Sequence, residues 1–439
     1  MIRPLIPFVA LAAALGPAPV LAQSGESVQL RAEQVFALAD EARERGDFEQ
    51  AEKLYRALTA DNDLALRNEA RFRLALMLAD NMDRKRDGAV LLREILDEQP
   101  DAARVRLELA RLHALMGNLG EAERELRAAQ ASGLPPEVER QVRFFTRSLA
   151  NAKPFGVEIE VAIAPDTNIN RATRSDTLDT VIGEFVLDED AQAQSGIGLA
   201  TRGSAYAKFR LEENTEFLVR AHGSGRFYRE DQFEDTTVGF QAGPQFRLGQ
   251  DRLDVTLLAH RRWFGGQHFT DSYGGTAAWR RPLNPRTQVR LDAGLIYSDD
   301  QLNDLRDAER ASLAASLDHA LKATRGVGVR VDGARSFAND PGYSTASAGI
   351  TAYGYEEIGS VTAVARLGYE RLEADKRLFL YPERRVDNRL EAGLSATLRS
   401  LRFVTLAPQL RVNFERSFST VEIYDYSRIA AEVGLVAAF

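Results

Sequence analysis

The chain closes with Ile429-Ala430-Ala431-Glu432-Val433-Gly434-Leu435-Val436-Ala437-Ala438-Phe439. Successive side chains of a β-strand point to opposite faces. Ile429, Ala431, Val433, Leu435, Ala437 and Phe439 therefore share one face, and Glu432 and Gly434 lie on the other. A strand that is apolar along one whole face suits the lipid side of a transmembrane β-barrel.

The same period of two starts at Lys153-Pro154 and runs to the end. Phe155, Val157, Ile159, Val161 and Ile163 alternate with Gly156, Glu158, Glu160 and Ala162. Val289, Leu291, Ala293 and Leu295 alternate with Arg290, Asp292 and Gly294. Leu390, Ala392, Leu394 and Ala396 oppose Glu391 and Ser395, and Leu410, Val412 and Phe414 oppose Arg411 and Asn413. These segments make about fourteen antiparallel strands, apolar outside and polar inside, and bacterial barrels have an even number. Glu158, Arg290, Asp292, Arg366, Glu391, Arg399 and Arg411 then fall on the lumenal side.

The connections fit that count. Short turns are expected at Glu213, Gln250, Asn284, Thr324, Ile358 and Leu401. The alternate connections, Asp166 to Gln194, Gly265 to Asp271, Ser298 to Ala308 and Leu372 to Arg385, read as longer and polar. Short periplasmic turns and longer outer loops are the rule for such barrels. Phe227, Tyr228, Trp263, Phe264, Tyr343, Tyr353, Tyr355, Tyr369, Phe379 and Tyr381 lie near strand ends, as an interfacial girdle would.

Before residue 153 the period is helical. Apolar residues recur every three or four positions, as in Val35, Leu38 and Ala42. Ala39, Gly46, Phe48, Ala51, Tyr55 and Leu58 follow tetratricopeptide (TPR) spacing, and Ala110, Gly117, Leu119, Ala122, Leu126 and Ala129 repeat it. Gly88, Leu92, Ile95 and Pro100 form a degenerate middle copy. The steps from Ala51 to Gly88 to Ala122 stay near the roughly 34-residue TPR period. Such a stack offers a concave surface to a peptide or protein partner.

Met1–Ala22 reads as a secretory signal peptide: Arg3, an apolar run from Leu5 to Leu15, and a small residue at the cut. The expected division is thus residues 1–22 leader, 23–152 periplasmic TPR-like α-solenoid and 153–439 outer-membrane β-barrel. The 439 residues carry a net charge of −8 and no cysteine. An acidic chain gives no electrostatic case for nucleic acid, and disulfides and thiolate metal sites are excluded. No apolar run after the leader is long enough for a spanning helix, so a spanning role falls to strands.

Few residues suggest chemistry. The five histidines show no metal-binding spacing; His260 and His268 straddle a turn and can approach across a hairpin. Asp166-Thr167-Asn168-Ile169-Asn170 starts like a calcium loop. However, Arg171 holds the glycine position and Thr177 the final carboxylate position. An Asx-rich loop structure is the better reading. No catalytic set and no phosphate-binding loop are found, so an enzyme is not expected and no cofactor is implied.

Glu432, Gly434 and the terminal Phe439 resemble the signal by which barrel-assembly machinery recognises its substrates. The order of leader, TPR-like helices, proline link and barrel resembles the surface lipoprotein assembly modulator (Slam) family, the outer-membrane component of type XI secretion. The motif Pro165-Asp166-Thr167-Asn168-Ile169-Asn170-Arg171-Ala172-Thr173, after Pro154-Phe155-Gly156, carries the resemblance. It implies a fourteen-stranded barrel that moves lipoproteins, or soluble haem-binding proteins, from periplasm to cell surface or medium. The helices would engage client or chaperone. A porin-like solute channel and a polysaccharide-export barrel with a TPR adaptor are the alternative readings.

Overall fold

A computed structural model describes residues 31–131, 155–401, 403 and 406–437. The expected leader, the proline link and Phe439 lie outside the described residues. The helical part comprises α1 (Ala32–Glu44), α2 (Phe48–Leu58), α3 (Leu64–Asp80), α4 (Lys85–Glu98), α5 (Ala103–Leu115) and α6 (Leu119–Ala131). They stack as antiparallel pairs α1/α2, α3/α4 and α5/α6. The small residues of the repeat sit at the packing points: Ala39, Ala51, Ala110, Ala122 and Ala129 are fully buried, and Tyr55 fills the first pair. Gly46 (φ 81°) and Gly117 (φ 88°) turn the chain within the first and third pairs. That left-handed geometry is costly for any residue with a Cβ. At Gly88 a Cβ would lie 2.7 Å from the Ala75 carbonyl, so glycine sets how closely α4 approaches α3.

The strands are β1 (Phe155–Asp166), β2 (Thr177–Thr180), β3 (Gly183–Val186), β4 (Gly196–Glu212), β5 (Thr215–Phe227), β6 (Asp235–Leu248), β7 (Asp251–Phe264) and β8 (Gln267–Asn284). They continue as β9 (Thr287–Asp300), β10 (Ala308–Lys322), β11 (Arg325–Ala338), β12 (Thr345–Ile358), β13 (Val361–Ala374), β14 (Val386–Leu398), β15 (Leu406–Ser419) and β16 (Tyr426–Ala437). β1 and β4 to β16 form one closed antiparallel barrel of fourteen strands, each paired with its neighbours along the chain. β1 and β16 close it through the register Ala162↔Gly434, Ile163↔Val433 and Asp166↔Ala430.

The apolar faces point outward, as the alternation requires. Ile159 is 77% exposed and Leu257 74%, with Leu295, Leu313, Leu367 and Leu394 also open on the outside. Leaving one such side chain in water forfeits about 2 kcal/mol of burial. A ring of them specifies a hydrocarbon environment, and the barrel sits in the outer membrane.

The sequence left several details to be corrected. The connection expected from Gly265 to Asp271 is a two-residue turn, Gly265-Gly266, with φ of 56° and 72°. Two adjacent positive φ values suit a tight hairpin and let β7 and β8 run further. The long connection after β1 carries the hairpin β2–β3, which period counting did not separate. Tyr353 and Tyr355 do not join an outer girdle. They share the inward face of β12 with Glu357, cover Gly328 and Gly326 of β11, and leave no room for a Cβ there. His260 meets His222, not His268: the two rings lie 4.9 Å apart over Gly239.

Candidate functional site

The helical unit sits on the short-turn end of the barrel, and its grip is ionic. Arg106 of α5 is fully buried. Its Nη1 lies 2.8 Å from Glu125 Oε2 of α6, and its Nη2 donates to Glu357 Oε2 of β12 at 3.0 Å. Arg93 of α4 reaches the same Glu357 oxygen at 2.8 Å and Glu125 at 3.3 Å. Beside them Arg399, in the turn after β14, donates from Nη2 to Asp97 of α4 at 2.7 Å and to the Gly359 carbonyl at 2.8 Å. Arg399 keeps the inward side expected of it, but it stands in the helical turn Arg399–Leu401 rather than on a strand, and from there it reaches the helices.

Three guanidiniums thus meet three carboxylates out of water. Burial alone would lower the pKa of Arg93, but Glu357 and Glu125 outweigh it and hold the group above its ordinary range. Burial and Glu357 push Glu125 up, and Arg106, Arg93 and Arg124 bring it down below the usual carboxylate range. An ion pair desolvated in this way adds little net stability, yet removing one member is strongly destabilising. Further ties flank the network. Arg127 of α6 donates to Gln288 of β9 at 3.0 Å, and Tyr206 of β4 donates to the Gly117 carbonyl at 3.0 Å.

The turn between α5 and α6 closes one side of a chamber of about 1520 Å³ inside the barrel. Met116, Gly117 and Asn118 line it from that turn, Arg86, Arg93 and Arg124 are among the residues that α4 and α6 add, and strand residues line the rest. Twelve lining residues are Arg or Lys and five are Asp or Glu, although the whole chain is acidic. Arg290 and Asp292 are among them, as expected of lumenal residues. Arg411 lies in a second network, where Glu432 accepts from it at 2.5 Å and from Arg202 at 2.7 Å.

The motif Pro165 to Arg171 stands at the opposite, outer end of the seam between β1 and β16. Asp166, nearly fully buried, takes Arg428 of β16 by Nε at 2.9 Å and Nη2 at 2.5 Å. Thr167 exchanges two bonds with Ile429: its N–H donates to the Ile429 carbonyl at 3.0 Å, and its hydroxyl accepts the Ile429 N–H at 2.8 Å. Asn168 donates to the carbonyls of Ala172 at 2.8 Å and Ser427 at 3.1 Å. The Ile169 N–H donates to the Gln194 carbonyl at 2.7 Å, and Asn170 donates to the Gln192 carbonyl at 2.7 Å. Arg171 adopts a left-handed φ of 51° and lies 3.4 Å from Glu415. Pro165 brings no N–H to the ladder. The acidic and amide oxygens are used by the protein itself, in Asx-type turns and in ion pairs. The calcium-like spacing thus builds a staple across the seam.

Glu432 and Gly434 both face the interior beside the seam. A Cβ at Gly434 would lie 3.0 Å from Ala162 Cβ and 3.0 Å from the Val161 carbonyl, so glycine allows β16 to close against β1. Above the motif the hairpin β2–β3 reaches the other outer loops. The Val181 N–H donates to the Leu380 carbonyl at 3.1 Å, and the Asp179 N–H donates to Glu422 at 3.2 Å. The sequence did not signal the helix-to-barrel network, because its members are isolated charges in ordinary helical and strand patterns.

A family model described as surface lipoprotein assembly modifier matches residues 156–439, and a tetratricopeptide repeat model matches residues 86–139. Surface lipoprotein assembly modifier 1 of Neisseria meningitidis is 24% identical over 81% of this chain and 73% of its own length. The surface lipoprotein assembly modifier of Moraxella catarrhalis is 22% identical over 73% of this chain and 63% of its own length. Among solved structures, OmpT of Vibrio cholerae shares 9% identity over 64% of this chain and 99% of that one, with a TM-score of 0.36. The barrel and its seam motif fall within the stretch the first model matches, and the chain belongs to the surface lipoprotein assembly modifier family.

Proposed function

We propose that this protein assembles lipoproteins on the cell surface, as an outer-membrane translocator whose barrel gives the route and whose helices engage client or chaperone in the periplasm. The observation that carries the reading is the buried ionic joint between the helical unit and the barrel mouth. A passive solute channel has no use for a partner-binding solenoid fixed over its entrance. A TPR-type stack presents a concave surface to polypeptides, and here it stands directly over a charged chamber. Soluble secreted proteins, including haem-binding ones, are a second cargo class under the same mechanism.

In this reading the leader is removed after Ala22, residues 23–152 remain in the periplasm and residues 153–439 form the membrane unit. Glu432, Gly434 and Phe439 address the chain to the barrel-assembly machinery. The run from Pro165 to Arg171 fixes the seam at the outer surface. The role is mechanical and involves no enzymatic step. Comparing surface and secreted proteins between wild-type and deletion strains tests it. One or a few lipoproteins should be lost from the surface and retained in the periplasm, with little change in general permeability. An unchanged surface proteome refutes protein export.

A further inference from the structure

We propose that the chamber binds an acidic, extended polypeptide segment along an arc of cations on its wall. The choice of a polypeptide rests on the assembly role proposed above; the charge and shape of the site do not. The arc comprises Lys208 of β4, Arg220 of β5, Arg252 of β7, Arg280 of β8, Arg290 of β9 and Arg330 of β11, all lining the chamber.

Arg252 and Arg280 are register partners, and so are Arg280 and Arg290. Three guanidiniums therefore stand side by side on three adjacent strands. Like charges directly opposite one another destabilise a sheet, and the local acids relieve this only in part. Asp254 lies 2.9 Å from both Arg252 and Arg280. Asp292 pairs with Arg290 at 2.6 Å and Arg330 at 3.2 Å, and Asp332 is 3.7 Å from Arg330. Among the described residues no carboxylate pairs with Lys208 or Arg220. Both instead lie over the Tyr206 ring, at 5.6 and 5.9 Å. Glu216, on the same strand as Arg220, is taken by Arg247 at 3.3 Å. The wall carries an excess of positive charge at the centre of an acidic chain. Low-dielectric walls focus such a field and concentrate anions in the cleft.

The length of the arc favours a chain over a small anion. It runs from β4 to β11, and at a strand spacing of about 4.8 Å that is roughly 35 Å of wall. An extended polypeptide covers that distance with about ten residues. The chamber also exceeds the roughly 300–1,000 Å³ of sites that hold a single small ligand. Gln245 adds a hydrogen-bond cue. Its Oε1 is buried with no partner among the described residues. A backbone N–H can supply that donor, whereas a phosphate oxygen cannot.

The test uses the full-length protein in zwitterionic detergent with fluorescein-labelled ten-residue oligoglutamate and oligolysine, read by anisotropy. Oligoglutamate should bind at least about tenfold more tightly than oligolysine, and its affinity should fall as salt rises from about 50 to 200 mM. A triple variant, Lys208→Gln with Arg220→Gln and with Arg310→Gln of β10, a further cation of the chamber lining, should weaken oligoglutamate at least about fivefold. None of the three cations has a carboxylate partner among the described residues, so neutralising them strands no acid. Equal binding of the two peptides, or a folded triple variant that binds like wild type, overturns the proposal. So does displacement of oligoglutamate by sulfated dextran or phosphatidylglycerol at matched charge, which assigns the arc to another class of polyanion. If the variant does not fold, the salt dependence and the competition on wild type decide alone. The surface-proteome comparison fails independently: an unchanged surface with intact oligoglutamate preference removes the assembly role and leaves the acidic-chain site standing.

Discussion

Arg106 and Glu357 lie 251 residues apart in sequence and 3.0 Å apart in space, one on a periplasmic helix and the other at the inner rim of a membrane strand. Neither charge is solvated. Glu357 also receives Arg93, so this single carboxylate holds two helices of the solenoid against the barrel.

Replacing it therefore has a defined consequence. Glu357→Gln leaves Arg93 and Arg106 to Glu125 and Asp97 and strands positive charge out of water. Loss of one member of a buried ion network costs about 3–5 kcal/mol. The helical unit should become sensitive to a protease that spares it in wild type, while the barrel keeps its heat-modifiable migration on gels. Equal protection of variant and wild type would show that the other contacts suffice for docking.

Acidification should loosen the same joint through His113. Burial, and then Arg124 and Arg93, lower this histidine to about 4, although Glu125 and Glu121 pull the other way. The folded state thus resists a proton that the unfolded chain accepts near its ordinary value of about 6.5. The stability is present above that value and is lost as pH falls towards 4, by about 2 kcal/mol at pH 5. Melting followed at the helical signal should show this slope between pH 7 and 5. His113→Gln should flatten it.

At the outer end of the seam, Asp166→Asn leaves Arg428 buried without its bidentate acceptor. Glu415, 3.5 Å from Arg428, compensates only partly. A loss of about 2–4 kcal/mol follows from breaking such a pair. It should appear as a lower temperature for the folded-to-unfolded gel shift. Arg428→Lys, which keeps the charge, should cause a smaller drop of the same kind, because a lysine cannot bridge two carboxylate oxygens. An unshifted transition in Asp166→Asn would mean that the motif does not hold the seam.

The barrel was legible in the sequence because a period of two over many strands has few other solutions. Val157, Ile159 and Val161 give the outer face directly. The TPR turns were legible for a similar reason, since Gly46 and Gly117 recur at one position of the repeat. Tyr353 and Tyr355 were misplaced because aromatic content outweighed parity: both share the face of Glu357, and a charged residue in that strand already marks the interior. The joint itself was not legible. Arg93, Arg106 and Glu125 are ordinary helix residues until the barrel rim brings Glu357 and Arg399 to them, and pairing at such separations leaves no local pattern. The seam role of Asp166 and Asn168 was hidden by the opposite effect, a local spacing that imitates an ion site while the partners lie on β16.

The most direct measurement is labelling of single cysteines with a membrane-impermeant maleimide, in a chain that has no cysteine of its own. Phe379→Cys, on an outer loop, should react in intact cells. Glu213→Cys, in a short turn, and Glu49→Cys, on α2, should react only after the outer membrane is permeabilised. Labelling of Glu49→Cys or Glu213→Cys in intact cells, or protection of Phe379→Cys there, would contradict a barrel whose inner mouth carries the helical unit.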